Sequence, residues 1–288
     1  MRVLVSGAEG MLAHEVIDAA RRRGHEVTAA ARRHLDLTSP RSIDDAVAAA
    51  APEAVINCAA YSDVDGAEDD ERGAIEVNDV GAGLLAAAAE RVGAKVVYPS
   101  SDYVFDGTAR EPYVESDVTG PIGAYGRSKL GGETSVAAVN PRHFIVRSSW
   151  LYGHKGKNFV ETMLRLGLSQ PEILVVTDQR GCPTSCVDLA EALIGLIETE
   201  DYGIHHLAGT GSCSWYEFAT EIFDQAAYET RVMSATTEMM ARKAPRPAYS
   251  VLATERPETP ELPRWQDSLR RYLADRELQA SDTRARTH

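Results

Sequence analysis

The stretch RVLVSGAEGMLA at residues 2–13 constrains the fold more than any other part of this chain. Arg2 to Ser6 are dominated by branched apolar side chains and read as a buried strand. A periodic apolar pattern from about Leu12 to Arg23, stopped at Gly24, reads as a helix. Between them stand Gly7 and Gly10, where a chain turning sharply from strand to helix is best served by residues without a side chain. A helix start offers free backbone N–H groups, so strand, glycine turn and helix in this order suit a pyrophosphate bound at the helix N-terminus. The spacing is Gly-x-x-Gly with Ala13 in the third place, and the same pattern also serves as a plain structural turn.

Three further apolar runs, HEVTAAAR, PEAVINCAA and KVVYPSS, alternate with alanine-rich helical segments. Strands joined by helices imply right-handed crossovers and a parallel sheet, and an open doubly wound sheet binds ligands at the carboxyl ends of its strands. The predicted class is α/β, a Rossmann-type doubly wound parallel sheet over residues 1–149 with a smaller C-terminal substrate-binding lobe over 150–272. Beyond Trp150 the alternation weakens and proline clusters appear in APRPAYS and ERPETPELPRW. The segment 172–198, which contains EILVVTD, is expected to return to the sheet. Residues 273–288 are polar, lack periodicity and are expected to be disordered.

The second strand ends in Ala30-Ala31-Arg32-Arg33. A strict NAD binder more often carries an acid there, whereas Arg32 or Arg33 can pair with a 2′-phosphate. NADPH is therefore favoured, with NADH left open, and both arginines read equally well as solvated loop charges. The formal charge of −13 argues against nucleic acid or an anionic membrane as partner. No apolar run nears the roughly 20 residues of a membrane span. MRVLVSG runs straight into a strand without the hydrophobic stretch of a signal peptide, so a cytoplasmic location is expected. Cys58, Cys182, Cys186 and Cys213 fit neither a disulfide framework nor zinc spacing, and no metal site is expected.

NCAAYSDVDGAE (57–68) and PSSDYVFDG (99–107) follow the third and fourth strands, at the edge where a cofactor would sit. AYGRSK then places Tyr125 and Lys129 four apart, on one face of a helix. A cation beside a phenol favours the phenolate, so Lys129 is expected to lower the Tyr125 pKa from its usual value of about 10. Ser101, one loop upstream, can face the same cleft, which would put serine and phenol within reach of one carbonyl oxygen. In isolation, a tyrosine and lysine at this spacing are an ordinary helix surface.

With YSDVDGAE, SSDYVFDG, YGRSK, RSSWLYG (147–153), DQRGCPTSCVDLA (178–190), GIHHLAGTGSCSWYEFA (203–219) and RPAYSVLATER (246–256) in this order, the chain resembles a known family. That family is the dTDP-4-dehydrorhamnose reductases, within the extended short-chain dehydrogenase/reductase superfamily, and the likeness runs to about Tyr272. The resemblance implies NAD(P)H-dependent reduction of the 4-keto group of dTDP-4-dehydro-L-rhamnose, a nucleotide sugar, to dTDP-L-rhamnose. It implies that Gly7, Gly10, Met11 and Leu12 cradle the pyrophosphate, that Asp36 and Leu37 flank the adenine, and that Ala59, Ala60 and Tyr61 line the path to the nicotinamide. Val64, Ser101, Asp102, Phe105, Tyr125 and Trp150 would meet the sugar nucleotide. Tyr125 would transfer a proton, Ser101 would donate a hydrogen bond, and Lys129 would also hold the nicotinamide ribose.

The family usually has threonine at 101 and often a glycine at 13; Ser101 keeps the hydroxyl and Ala13 the small side chain. Taken alone, Trp150 and Phe105 read as core, because large rings contribute so much apolar area. Asp36 alone reads as the cap of a helix beginning near Thr38. Two alternatives remain. A sugar-nucleotide epimerase or dehydratase would more often carry an acid in place of Arg32-Arg33, and a regulatory subunit on the same fold has no evident need of Ser101, Tyr125 and Lys129 together. A homodimer stays open, and the glutamate-held metal of some relatives has no counterpart that the sequence identifies.

Overall fold

The computed structural model describes residues 1–286; His288 and its neighbour at 287, the end of the polar tail, lie outside them. Strands β1 (Arg2–Ser6), β2 (Glu26–Ala30), β3 (Ala54–Asn57), β4 (Lys95–Ser101) and β5 (His143–Ser148) lie parallel in the order β5-β4-β3-β1-β2. β1 pairs with both β2 and β3, so the chain leaves on one side of β1 and re-enters on the other. This reversal opens a crevice beyond the carboxyl ends of β1 and β3. β3 is buried at every position and β1 at all but its first, as strands covered on both faces must be.

Alternate side chains of these strands feed two cores. Val3, Val5, Ile56 and Val97 meet Val16 and Ile17 of α1 (Met11–Arg22) on one face. Leu4, Val55, Val96 and Tyr98 meet α2 (Pro40–Ala50), α5 (Ala82–Arg91) and α6 (Ala124–Val139) on the other. Between β3 and α5 lie two short helices, α3 (Val64–Ala67) and α4 (Glu71–Ile75), and a π turn at Glu76–Gly81. Ser39 caps α2, accepting from the Ser42 N–H at 3.3 Å, with Pro40 in the first turn. Asp36 is not the cap: its carboxylate accepts from the backbone N–H and hydroxyl of Thr38 at 3.0 and 2.9 Å.

The second lobe is built from β6 (Leu151–Tyr152), α7 (Phe159–Gly167), β7 (Glu172–Val176), β8 (Arg180–Gly181) and β9 (Thr184–Ser185). After α8 (Cys186–Ile197) and β10 (Gly203–His206), it resumes with β11 (Cys213–Ser214), α9 (Trp215–Gln225), β12 (Arg231–Ala235), α10 (Thr237–Met240) and α11 (Trp265–Arg286). Phe218, Ile222, Trp265 and Leu269 centre its core.

Segment 172–198 divides between the lobes. α8 packs back on α1 through Leu189 and Leu193, but β7 pairs with β12 in a separate two-stranded sheet. EILVVTD is therefore not a strand of the main sheet. Its burial alternates with period two, the mark of a strand covered on one face. The sixth place, beside β5, belongs to β10, whose sequence is GIHH. His205 and His206 can be buried there because their ring nitrogens have partners: Thr259 Oγ1 at 2.8 Å for His205, and the Ala253 carbonyl at 2.8 Å for His206.

The tail is a second correction, since α11 continues through it to Arg286. Tyr272 and Leu273 close the third core, and Arg276 donates to Glu161 at 2.8 Å. Beyond them the segment has no apolar stripe, but Ala, Arg, Glu, Leu and Gln are good helix formers and prolong a helix already nucleated by packing. No helix among the described residues is long and apolar enough to cross a membrane.

Candidate active site

A cavity of about 460 Å³ lies over the carboxyl ends of β1, β3 and β4. Its floor is the glycine turn. Gly7 has φ +63°, and the Gly10 N–H donates to the Gly7 carbonyl at 2.8 Å. A Cβ at Gly7 would meet the Ala59 backbone at 2.7 Å, so a side chain there would press into the loop after β3. α1 begins at Met11, and its cap, Gly10, has no side chain to take up the first N–H groups. Those donors, a side-chain-free turn and a cavity that continues from them to Asp36 fit the pyrophosphate and one arm of a dinucleotide.

Met11, Leu12, Ala59, Ala60, Tyr61, Asp36 and Leu37 all line the cavity, as does Arg32. Arg32 also lies 3.6 Å from Asp36, whose carboxyl is held below the usual range mainly by the Thr38 N–H. Arg33 is not brought to the lining: it is drawn to Glu9 at 2.6 Å. The Tyr61 loop is fixed by Asn78 from the π turn. Asn78 accepts from the Tyr61 N–H at 2.8 Å, then donates to the Tyr61 carbonyl at 3.0 Å and to Ser128 Oγ on α6 at 2.9 Å. Sequence reasoning missed Asn78; its one signal is a polar amide in VNDVG, just before an alanine-rich helix.

Lys129 and Tyr125 line the far wall. Lys129 is buried, donates to the Pro99 carbonyl at 2.7 Å and lies 4.1 Å over the Tyr98 ring. Burial pulls its pKa down to about 7, against opposing pulls from Glu133 and Cys58. Desolvation pushes Tyr125 up to about 12, with Asp102 adding to the rise and the Ser101 hydroxyl easing it. The expected lowering of the phenol by Lys129 is thus corrected: the ammonium is engaged by Pro99 and Tyr98, and desolvation governs the tyrosine. A phenol that keeps its proton through the neutral range still suits donation to an alkoxide, which is far more basic.

Ser101 is buried beside Tyr125; its Oγ accepts from the Tyr103 N–H at 3.1 Å and donates to Asp102 Oδ1 at 3.0 Å. Asp102 is also buried, which raises its carboxyl to about 7, with the Ser250 and Ser101 hydroxyls easing the rise.

The remaining substrate candidates separate. Phe105 is fully buried, stacked on Tyr113 with centroids 4.1 Å apart and edge-on to His206. It belongs to the core behind the cleft, not to the cleft itself, as expected of a large ring that pairs with another aromatic. Trp150 is half-buried with φ +50°, stacks on Trp215 at 3.6 Å, and covers Gly181, where a Cβ would meet the indole at 2.5 Å. Val64 opens α3, half-buried. Its neighbour Asp65 accepts from Arg246 Nη1 and Nη2, each at 3.1 Å, and from the Ala244 N–H at 3.0 Å. A strap from the second lobe thus reaches the loop after β3. RPAYS is the one signal for it in the sequence.

A side-chain-free turn on the first strand, with serine, tyrosine and lysine gathered at the carboxyl edge of a doubly wound sheet, defines a nicotinamide-dependent oxidoreductase of the short-chain dehydrogenase/reductase type. The chain belongs to the dTDP-4-dehydrorhamnose reductase family: the family model described as RmlD substrate binding domain matches residues 1–278. The dTDP-4-dehydrorhamnose reductase of Streptomyces griseus is 44% identical over 262 residues, covering 88% of this chain and 86% of its own. The crystal structure of the Clostridium acetobutylicum dTDP-4-dehydrorhamnose reductase superposes with a TM-score of 0.94 at 42% identity, covering 96% of this chain and 100% of that one. The Bacillus anthracis reductase, solved in complex with NADP, superposes with a TM-score of 0.93 at 39% identity, over 95% and 99% of the two chains.

Proposed function

We propose that this reductase uses NADPH to convert dTDP-4-dehydro-L-rhamnose to dTDP-L-rhamnose. One observation carries the proposal: a single cleft runs from the Gly7–Gly10 turn to Tyr125 and Lys129. When bound, the nicotinamide supplies the hydride for the ketone carbon. The chain's own residues manage the oxygen. Ser101, its hydroxyl turning from Asp102, donates a hydrogen bond as negative charge builds, and Tyr125 gives up its proton. Lys129, charged, holds the ribose beside them. Arg32 at the adenine end supports NADPH over NADH.

The lobes then divide the work. Residues 1–149, with α8 and β10, hold the cofactor, and the rest of 150–272 closes over the sugar nucleotide. A cytoplasmic location is supported by four cysteines that are all free.

The test is to incubate purified protein with NADPH and dTDP-4-keto-6-deoxy-L-mannose, following NADPH absorbance and the sugar formed. Equimolar loss of NADPH and gain of dTDP-L-rhamnose is expected. Tyr125→Phe should turn over about 10²-fold more slowly while NADPH affinity stays within twofold. No substrate-dependent oxidation by the wild type would overturn the proposal.

A further inference from the structure

Three residues of α6 spaced four apart, Tyr125, Lys129 and Glu133, face three consecutive residues at the carboxyl end of β4. Ser101 neighbours the Tyr125 phenol, the Pro99 carbonyl takes the Lys129 ammonium at 2.7 Å, and Ser100 Oγ donates to Glu133 Oε1 at 2.5 Å. Two members of this ladder belong to the chemistry proposed above. Glu133 does not touch the cleft, yet it is the most elaborately held of the three. Arg147 on β5 donates to it twice, Nε to Oε1 at 3.0 Å and Nη2 to Oε2 at 2.7 Å, and both side chains are buried. Arg147 is itself braced, 3.4 Å from His206 Nε2 and 5.1 Å from the Phe105 ring centre.

A buried ion pair is an expensive way to fill space, because apolar side chains of similar volume often stabilise as well. What an apolar pair cannot do is act on a neighbouring charge. We infer that Glu133 is a positioning residue: its carboxylate, oriented by Arg147 and Ser100, keeps Lys129 cationic and registers α6 against the end of β4. The inference rests on the role proposed for Lys129.

The groups facing Lys129 leave Glu133 as its principal support. Burial draws the lysine down to about 7, and the largest opposing influence is Glu133, one turn along the same helix. Cys58, from the β3 loop, is the other, but burial pushes that thiol up to about 12, so it is uncharged near neutrality. From β4, the Tyr98 phenol lies under the ammonium and is itself pushed well above its usual value. Tyr125 stays protonated at about 12. The π turn contributes the neutral Asn78 and also Asp79, whose carboxylate is taken by Ser135. Asp102, beyond Ser101, acts on Tyr125. Arg147 is the cation on the adjoining strand, and Glu133 engages it.

The experiment compares wild type, Glu133→Gln, Glu133→Asp and the double variant Glu133→Gln/Arg147→Met, which removes both charges of the buried pair together. For each, kcat and the NADPH dissociation constant, read by fluorescence titration, are followed from pH 6 to 10. In Glu133→Gln the high-pH limb of both profiles should move down by about one pH unit. Turnover would then fall about tenfold at pH 8 but stay within about threefold of wild type at pH 6. Glu133→Asp should move the limb back toward wild type, and the double variant should shift it in the same direction as Glu133→Gln. A loss of equal size at every pH, an unshifted profile, or loss of fold in both Gln-containing variants would assign Glu133 to the scaffold and overturn the inference. Lys129→Met separates the two levels: if it removes the limb while Glu133→Gln leaves the profile unchanged, this inference alone fails. If Lys129→Met itself retains turnover and the limb, the role of Lys129 fails first.

Discussion

Arg246 reaches from the strap of the second lobe to Asp65 in the first, one guanidinium nitrogen to each carboxylate oxygen at 3.1 Å. The two residues are 181 positions apart, so the pair forms once the lobes have docked. Arg246→Met and Asp65→Asn should each lower thermal stability, and the double variant should lose no more than the worse single one, with a coupling of about 1 kcal/mol. The Asp65 carboxyl is depressed, chiefly by the hydrogen bond from Arg246. Its contribution is therefore present above the ordinary carboxylate pKa and is lost as pH falls through the depressed value. Melting curves that show purely additive losses would remove the pair as a link between lobes.

The two arginines after β2 should behave differently. Arg32 lines the cavity and Arg33 is drawn to Glu9. Arg32→Ala should weaken NADPH by about tenfold or more and NADH little, because a phosphate loses a charged partner. Arg33→Ala should change neither by more than about twofold. Fluorescence titration with both cofactors decides, and equal losses for NADPH and NADH in Arg32→Ala would mean that Arg32 does not read the phosphate.

Ser101 offers a third check. One hydrogen bond to a developing oxyanion is worth about 2 to 4 kcal/mol, so Ser101→Ala should slow single-turnover NADPH oxidation roughly 30- to 1,000-fold with cofactor affinity unchanged. Ser101→Thr, which keeps the hydroxyl, should stay active. Equal rates for wild type and Ser101→Ala would leave Tyr125 to manage the oxygen alone.

What could be read from the sequence was what is local in it. β1, the Gly7 turn, α1 and the Tyr125–Lys129 spacing announce themselves within a dozen residues, and the structure brings Gly7, Gly10, Tyr125 and Lys129 into one cleft. What went unread depends on tertiary contacts or on how dry a site is. β10, GIHH, carries no strand signal of its own, because Thr259, 54 residues away, supplies the partner that lets His205 be buried. Phe105 sits close to Ser101 in sequence, but the tight turn at Asp102–Val104 and the stack on Tyr113 take its ring into the core. The protonation of Tyr125 was misjudged because spacing shows who is near on a helix and not how dry the site is. Asn78 and Arg246 went unread for the same reason, their meaning lying in contacts with Tyr61 and Asp65.

Asp102 links the dryness of the site to stability. Burial lifts its carboxyl to about 7, above its ordinary value near 4. The folded state thus keeps a proton that the unfolded chain releases, and this contribution is complete below about pH 4 and lost as pH rises through about 7. Asp102→Asn, which cannot ionise, should gain on the wild type as pH increases from 5 to 8. Differential scanning calorimetry at both values would show it; an unchanged gap between the two proteins would mean that Asp102 ionises freely in the fold.

The stacked indoles of Trp150 and Trp215, 3.6 Å apart and within 7° of parallel, have a spectroscopic consequence. Stacked this closely, each indole screens a face of the other from water, so the surroundings that set their emission wavelength last only while the stack holds. Trp150 stands at the exit of β5 and Trp215 opens α9, so this optical signature exists while the two segments are seated together. The protein therefore carries, without any label, a gauge of how α9 packs on the segment after β5, readable in the same cuvette as the reaction.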